Sequence, residues 1–310
     1  MKPLRFGLFL PQVGQTWEGI RERVVTADRL GFDSVWFVDH MWMRGLPDLD
    51  HLEAWTLMSA AASITERIRI GTLVLCNSYR NPAFLAKMAS SLDQVSGGRF
   101  VLGIGAGWME EEYHAYGYPF PPARVRIEQL EEAIHVIKRL FTQDRATFQG
   151  KYYSVAEAVN RPKPKQQPHP PILIGGAGER RLLRVVAEHA NIWNCPNNVA
   201  AQLPQKLAVL RRHCEAVGRP FEEIEISEQC VFITGKTPAE VEEKTTAARA
   251  LLGSVWDLDR AYRGTPEQLV EIFRQREQQG VTFFIGLFGD LNQRESLELF
   301  AKEVIPACRS

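Results

Sequence analysis

The chain has 310 residues, 45% of them hydrophobic, with 37 basic and 37 acidic side chains, a length that supports one large core or two modest ones. Zero formal net charge argues against a nucleic-acid partner or an anionic membrane surface, and no apolar run reaches the roughly 20 residues of a membrane helix. The five cysteines, Cys76, Cys195, Cys214, Cys230 and Cys308, are odd in number and form no C-x-x-C pair, which argues against a disulfide framework or structural zinc site and points to a reducing cytoplasm.

In chain order, "RFGLFL" (5–10) reads as a strand rather than a signal peptide, because no small-residue cleavage site follows it. A helix over Trp17–Leu30 stops at Gly31, "SVWFV" (34–38) is a strand, and a helix covers about Leu52–Ile64. "RIRIGTLVL" (67–75) is a strand, and Pro82–Val95 is a helix stopped by Gly97 and Gly98. "RFVLGIG" (99–105) is a strand, and Val125–Phe141 is a long helix with apolar residues at helical spacing. The turn-rich stretch 146–171 reads as a small hairpin and an extended insertion within a single domain spanning 1–310, because alternation resumes at once. "ILIGG" (172–176), "NIWNC" (191–195), "IEISEQCVFIT" (224–234) and "TFFIGLF" (282–288) are strands. Helices follow or separate them at about 179–189, 200–217, 238–251 and 266–279, with one more at the end. Eight strands alternating with helices demand a parallel sheet under helical cover. The count and the length fit a closed (β/α)8 TIM barrel with insertion segments better than an open doubly wound sheet.

The stretch "GRFVLGIGAGW" carries Gly103, Gly105 and Gly107. A dinucleotide finger needs G-x-G-x-x-G after the first strand, and both spacing and place fail here. At a barrel mouth, bare backbone lets a flat ligand approach, and it equally lets a tight strand pack on small neighbours. Asp39 and His40 end the second strand at the same rim; they serve either as an acid/base pair or as a helix cap and a backbone-bonded histidine. Gly175, Gly176 and Gly178 lie between the fifth strand and its helix, where free N–H groups and the helix dipole favour a phosphate, or simply water on a turn. Glu179 suits a phosphate only if it points away. Glu110–Glu112 reads as a solvated helix start. The seven histidines show no metal-ligand spacing, so no metal is expected, and no G-x-S-x-G elbow supports a hydrolase. Trp17, Trp42, Trp108, Trp193 and Tyr113 are aromatic pocket or core.

The segments "FGLFLPQ", "GFDSVWFVDH", "YRNPAFLAKMASSLDQVSGGRFVLGIGAGW", "PPILIGGAGERRLLRVVAEHANIWN" and "GTPEQLVEIF" occur in this order. Over about Leu4 to Ile305 the chain resembles the bacterial luciferase-like flavin and deazaflavin oxidoreductases. That resemblance implies an eight-stranded barrel, a homodimer, a small-molecule substrate, and hydride transfer through FMN or coenzyme F420. "GAGWMEEEYHAYGYPFP" with "PHPPILIGGAGERR" looks most like the F420 branch. The resemblance places Asp39 beside the cofactor, gives His40 a proton-transfer role, and makes Leu73–Val74 the family's non-prolyl cis peptide. It sets Ala106 and Gly107 near the ring or ribityl chain, and Gly175, Gly176, Ala177 and Gly178 near the phosphate. Arg80, Arg180 and Arg181 are candidates for the anionic tail of F420. Trp108 stands where the family's sugar-phosphate dehydrogenases carry an acidic residue, so that substrate class does not carry over. The expectation is an F420-dependent oxidoreductase. An FMN-dependent monooxygenase is the alternative, and a non-catalytic flavin-binding barrel the non-enzyme rival.

Overall fold

The structure is a computed structural model that describes residues 3–310. Eight parallel strands carry the fold: β1 (Arg5–Phe9), β2 (Ser34–Phe37), β3 (Arg69–Thr72), β4 (Phe100–Gly105), β5 (Ile172–Gly175), β6 (Ile192–Cys195), β7 (Glu225–Thr234) and β8 (Phe283–Phe288). Each pairs with the next, and β8 pairs with β1, so the sheet closes on itself. This is the expected (β/α)8 barrel, with helices on its outer face.

Local chemistry sets the helix ends. Thr16 accepts the Gly19 N–H at 3.2 Å to start Trp17–Leu30, and Gly31 closes that helix at φ +95°. Asn81 caps Pro82–Val95, with proline in the first turn. Thr265 and Gln268 form a capping box on Pro266–Gln278.

Three boundaries differ from the sequence expectation. The third strand ends at Thr72; a cis peptide joins Leu73 to Val74, and Leu75–Cys76 then pairs separately with β4. The helix after β5 begins at Leu182 rather than near 179, leaving a longer loop. A 3-10 turn over Asn197–Gln202 precedes the helix Leu203–Val217. The stretch after Ala123–Thr142 forms an antiparallel hairpin of Ala146–Gln149 and Ser154–Ala158.

The barrel interior is packed around Trp36, which is fully buried beside Phe9, Val101, Leu173, Ile285 and Phe283. Its Nε1 donates to Ser34 Oγ at 2.8 Å. Burying a ring of this size contributes about 4–6 kcal/mol by area. The surrounding strands make room for it with glycine: a β-carbon at Gly71 would lie 2.6 Å from Trp36 Cζ3, and one at Gly7 2.8 Å from its Nε1. A β-carbon at Gly103 would overlap the Thr72 carbonyl oxygen. The first glycine of the "GIGAG" run is therefore a packing glycine deep in the wall. A second apolar layer lies between the sheet and the helices.

Candidate active site

The strands deliver their C-terminal ends to one mouth, and β2 runs there into Asp39 and His40. Asp39 is buried, and its carboxylate is fully engaged within the protein. It accepts Arg80 Nη1 and Nη2 at 2.8 and 2.9 Å and the Cys76 N–H at 2.8 Å. Arg80 also donates to Glu53 at 2.9 Å, and Glu53 caps the helix Ala54–Ile64. A bidentate pair of this kind is strong and directional. Arg80, the candidate for an anionic tail, thus commits both terminal nitrogens of its guanidinium to Asp39 and Glu53.

His40 is held by Glu112. Its Nδ1 lies 2.9 Å from Glu112 Oε2, and the same carboxylate accepts the Tyr79 hydroxyl at 2.6 Å and the Met41 N–H at 2.5 Å. Burial pushes the Glu112 carboxyl up, but the hydrogen bonds from His40, Tyr79 and Met41 outweigh it and hold the group below the usual carboxylate range. An ionised acceptor there fixes the His40 proton on Nδ1 and leaves Nε2 with its lone pair; no partner for Nε2 is found among the described residues. This corrects the reading of Glu110–Glu112 as a solvated cluster. Glu110 and Glu111 are exposed, but Glu112 and Tyr113 turn inward from the short helix Glu110–Ala115. A six-residue helix lying on the barrel must direct one side at it, and no composition cue says which.

His51 is a second residue that sequence reasoning passed over. Both of its ring nitrogens are buried without a partner. Burial, and then the charge of His40, lower its pKa from 6.5 to about 4. The unfolded chain therefore binds a proton near pH 6.5 that the folded chain resists until about pH 4. The resulting stability is present above pH 6.5 and lost as pH falls through that window, with a slope of up to about 1.4 kcal/mol per pH unit for the proton. Denaturant midpoints are expected to fall from pH 7 to pH 4.5, and to fall less steeply in His51→Gln. Parallel slopes for the two proteins would clear His51 of this role.

Trp108 is exposed and stands edge-on to His40 with ring centroids 5.6 Å apart. Beside it lies a cleft of about 400 Å³ lined by Arg44, Glu110, Glu111 and His114. Arg44 and Glu111 pair across it at 2.7 Å. Of the other aromatics, Trp193 and Tyr113 are core, Trp17 packs against it, and Trp42 is half-buried.

The glycines at the mouth are filled from within. The Val74 side chain sits between Gly105 and Gly175, whose β-carbons would approach it to 2.7 and 3.0 Å. A β-carbon at Gly107, at φ +77°, would overlap the Tyr113 hydroxyl. That hydroxyl hydrogen-bonds Ser78 Oγ at 2.9 Å and Cys76 Sγ at 3.0 Å, and faces the Ala106 carbonyl at 3.4 Å. Burial pushes the Cys76 thiol up to about 11, so it stays protonated.

The loop after β5 is different. The Gly176 N–H and carbonyl are used, by Asn194 at 3.3 Å and Trp193 Nε1 at 2.7 Å. The N–H groups of Ala177 through Arg181 find no protein acceptor among the described residues. Glu179 does point away: Lys206 and Gln205 donate to it at 2.8 Å each, and the lysine holds its carboxyl below the usual range. Arg180 and Arg181 are exposed. Gly176, at φ +118°, would bring a β-carbon within 2.5 Å of Leu182, whereas at Gly178 it would make ordinary contact at 3.5 Å. Gly178 is thus the position where the loop tolerates a side chain.

The luciferase-like monooxygenase family matches residues 4–280. An F420-dependent glucose-6-phosphate dehydrogenase of Kineococcus radiotolerans is 31% identical over 71% of this chain, which spans 65% of that protein's length. An FMNH2-dependent dimethylsulfone monooxygenase of Pseudomonas putida is 25% identical over 99% of this chain and 96% of its own. Among solved structures, an F420-dependent secondary alcohol dehydrogenase in complex with an F420-acetone adduct superposes with TM-score 0.84 at 21% identity, covering 99% of this chain and all of that one. A match over most of the barrel, on a chain that closes as this one does, decides the matter: the protein belongs to the luciferase-like monooxygenase family.

Proposed function

We propose that this protein is a coenzyme F420-dependent oxidoreductase that moves a hydride between the deazaflavin and a small organic substrate at the barrel mouth. The observation that carries this is the His40–Glu112 pair, 2.9 Å apart, at the same mouth as a loop of unpaired N–H groups. The cofactor assignment draws its support from relatives such as the Kineococcus protein, which is named for F420 and is 31% identical. The residues fit the group at its phosphate end: Ala177–Arg181 offer backbone donors, Glu179 is turned away, and Arg180 and Arg181 stand beside them.

When bound, a deazaflavin supplies a carbon centre that gives or accepts a hydride. The chain's own part is positioning and one proton. Moving a hydride between carbon centres during alcohol–carbonyl interconversion is balanced by a proton on the substrate oxygen, and His40 Nε2 is the group placed to take or return it. Glu112 holds the imidazole in that tautomer and stabilises its charged form. Trp108 covers His40 on the solvent side. The resemblance to the family's sugar-phosphate dehydrogenases implies an acidic residue at this position, and an indole there is what speaks against a sugar phosphate as substrate.

Five buried, unpaired thiols fit work in a reducing cytoplasm, and a homodimer accompanies the proposal. Among the described residues, no helix is long and apolar enough to cross a membrane. The FMN-dependent monooxygenase is the second reading, favoured by the Pseudomonas putida match over 99% of the chain.

Fluorescence titration of the apoprotein distinguishes them. F420 is expected to bind more tightly than FMN, and the preference should shrink with salt, because F420 carries an anionic tail beyond the phosphate that the two share and Arg180 and Arg181 would hold it. Gly178→Val should fold and weaken both cofactors. Tighter FMN binding at low and high salt would promote the monooxygenase.

A further inference from the structure

The helix Ala123–Thr142 places Glu131 and His135 one turn apart on the same face, and the helix Leu182–His189 ends on His189. A carboxylate oxygen of Glu131 and a ring nitrogen of each histidine all lie within 4.8 Å of one another. His189 is 8% exposed, and its Nε2 is buried with no hydrogen-bond partner. The Glu188 carboxylate lies 3.8 Å from that nitrogen. The two imidazole rings meet edge to face at 4.7 Å. We propose that Glu131, His135 and His189 form a binding site for a divalent transition-metal ion of the zinc type.

The donor set argues for that class of ion. Two imidazoles and one carboxylate are a zinc set that leaves one position for solvent, whereas calcium and magnesium take oxygen ligands. An ion with bonds of about 2.0–2.1 Å holds tetrahedral ligand atoms about 3.3 Å apart, so no pair need close by more than about 1.5 Å. Both rings are ready to donate. Burial, then Arg139 and Lys138, lower the pKa of His135; burial, then Lys138, His135 and Arg219, lower that of His189 to about 3. Against the ion stand the charges of Lys138, Arg139, Arg184 and Arg219. Arg184 is already paired with Glu188 at 2.8 Å, and Lys138 donates to the His189 carbonyl at 3.0 Å.

The site is at the opposite end of its helix from the glycine loop, so it is separate from the mouth. Its effect is to fasten two neighbouring helices, not to supply catalysis. The test uses tag-free protein titrated with Zn²⁺ by calorimetry and with Co²⁺ by visible absorption. One ion per chain is expected, with Co²⁺ d–d bands free of thiolate charge transfer, a raised Tm, and turnover unchanged. His135→Ala and Glu131→Gln, both at half-buried positions, should keep the fold and weaken Zn²⁺ by at least about tenfold. No stoichiometric binding to the folded wild type would overturn the proposal. So would undiminished binding in both variants, or a thiolate spectrum.

Discussion

His40→Ala is expected to lower turnover by about 10²–10⁴-fold while cofactor affinity stays near that of the parent. The ring meets the rest of the protein through Glu112 and Trp108, away from the loop proposed to hold the phosphate. Its removal therefore leaves the binding energy of the cofactor in place and takes away only the proton carrier. Glu112→Gln refines the test. A glutamine oxygen still accepts one hydrogen bond, but the charge that favours the imidazolium is gone. The loss should appear in kcat more than in KM. Equal kcat and KM for parent and both variants, with a true substrate, would make the pair a structural clasp.

The largest loss of stability is expected from Gly103→Ala, about 3 kcal/mol or more in urea denaturation. The added carbon would overlap a backbone oxygen, that of Thr72, and lie 3.4 Å from Trp36 Cζ3. Backbone in the middle of a closed sheet has no cheap way to retreat, and Thr72 is tied again through Oγ1 to the Gly103 carbonyl at 3.0 Å. A variant as stable as the parent would show that the β3–β4 seam yields.

The barrel was legible because each strand is a short apolar run closed by a turn signal, and each major helix carries its own apolar stripe. "SVWFV" and "TFFIGLF" are readable on these grounds alone. The break after Thr72 was not legible locally, since "RIRIGTLVL" is apolar throughout and nothing in it marks where pairing changes partner. At the mouth, His40 and the glycine loop are candidates readable by their place at strand ends. Glu112 was missed because three consecutive glutamates look alike until the helix is seated. Asp39 and Arg80 were placed at the rim, but their bidentate pairing spans 41 residues and leaves no local trace. The same holds for Glu131, His135 and His189, which sequence reasoning passed over with the expectation of no metal: the third member arrives only through tertiary packing.

Val74 has a consequence for descent. Its two methyl groups fill the space that side chains at 105 and 175 would need, so three strand ends share one small volume. Such positions do not drift independently. A lineage that enlarged residue 105 before residue 74 had shrunk or shifted would pass through an overfilled mouth, and at 175 Val74 would have to give by a few tenths of an ångström. Divergent members of the family are thus expected to differ at these three places together, as a single inherited setting of how far apart the strand ends stand.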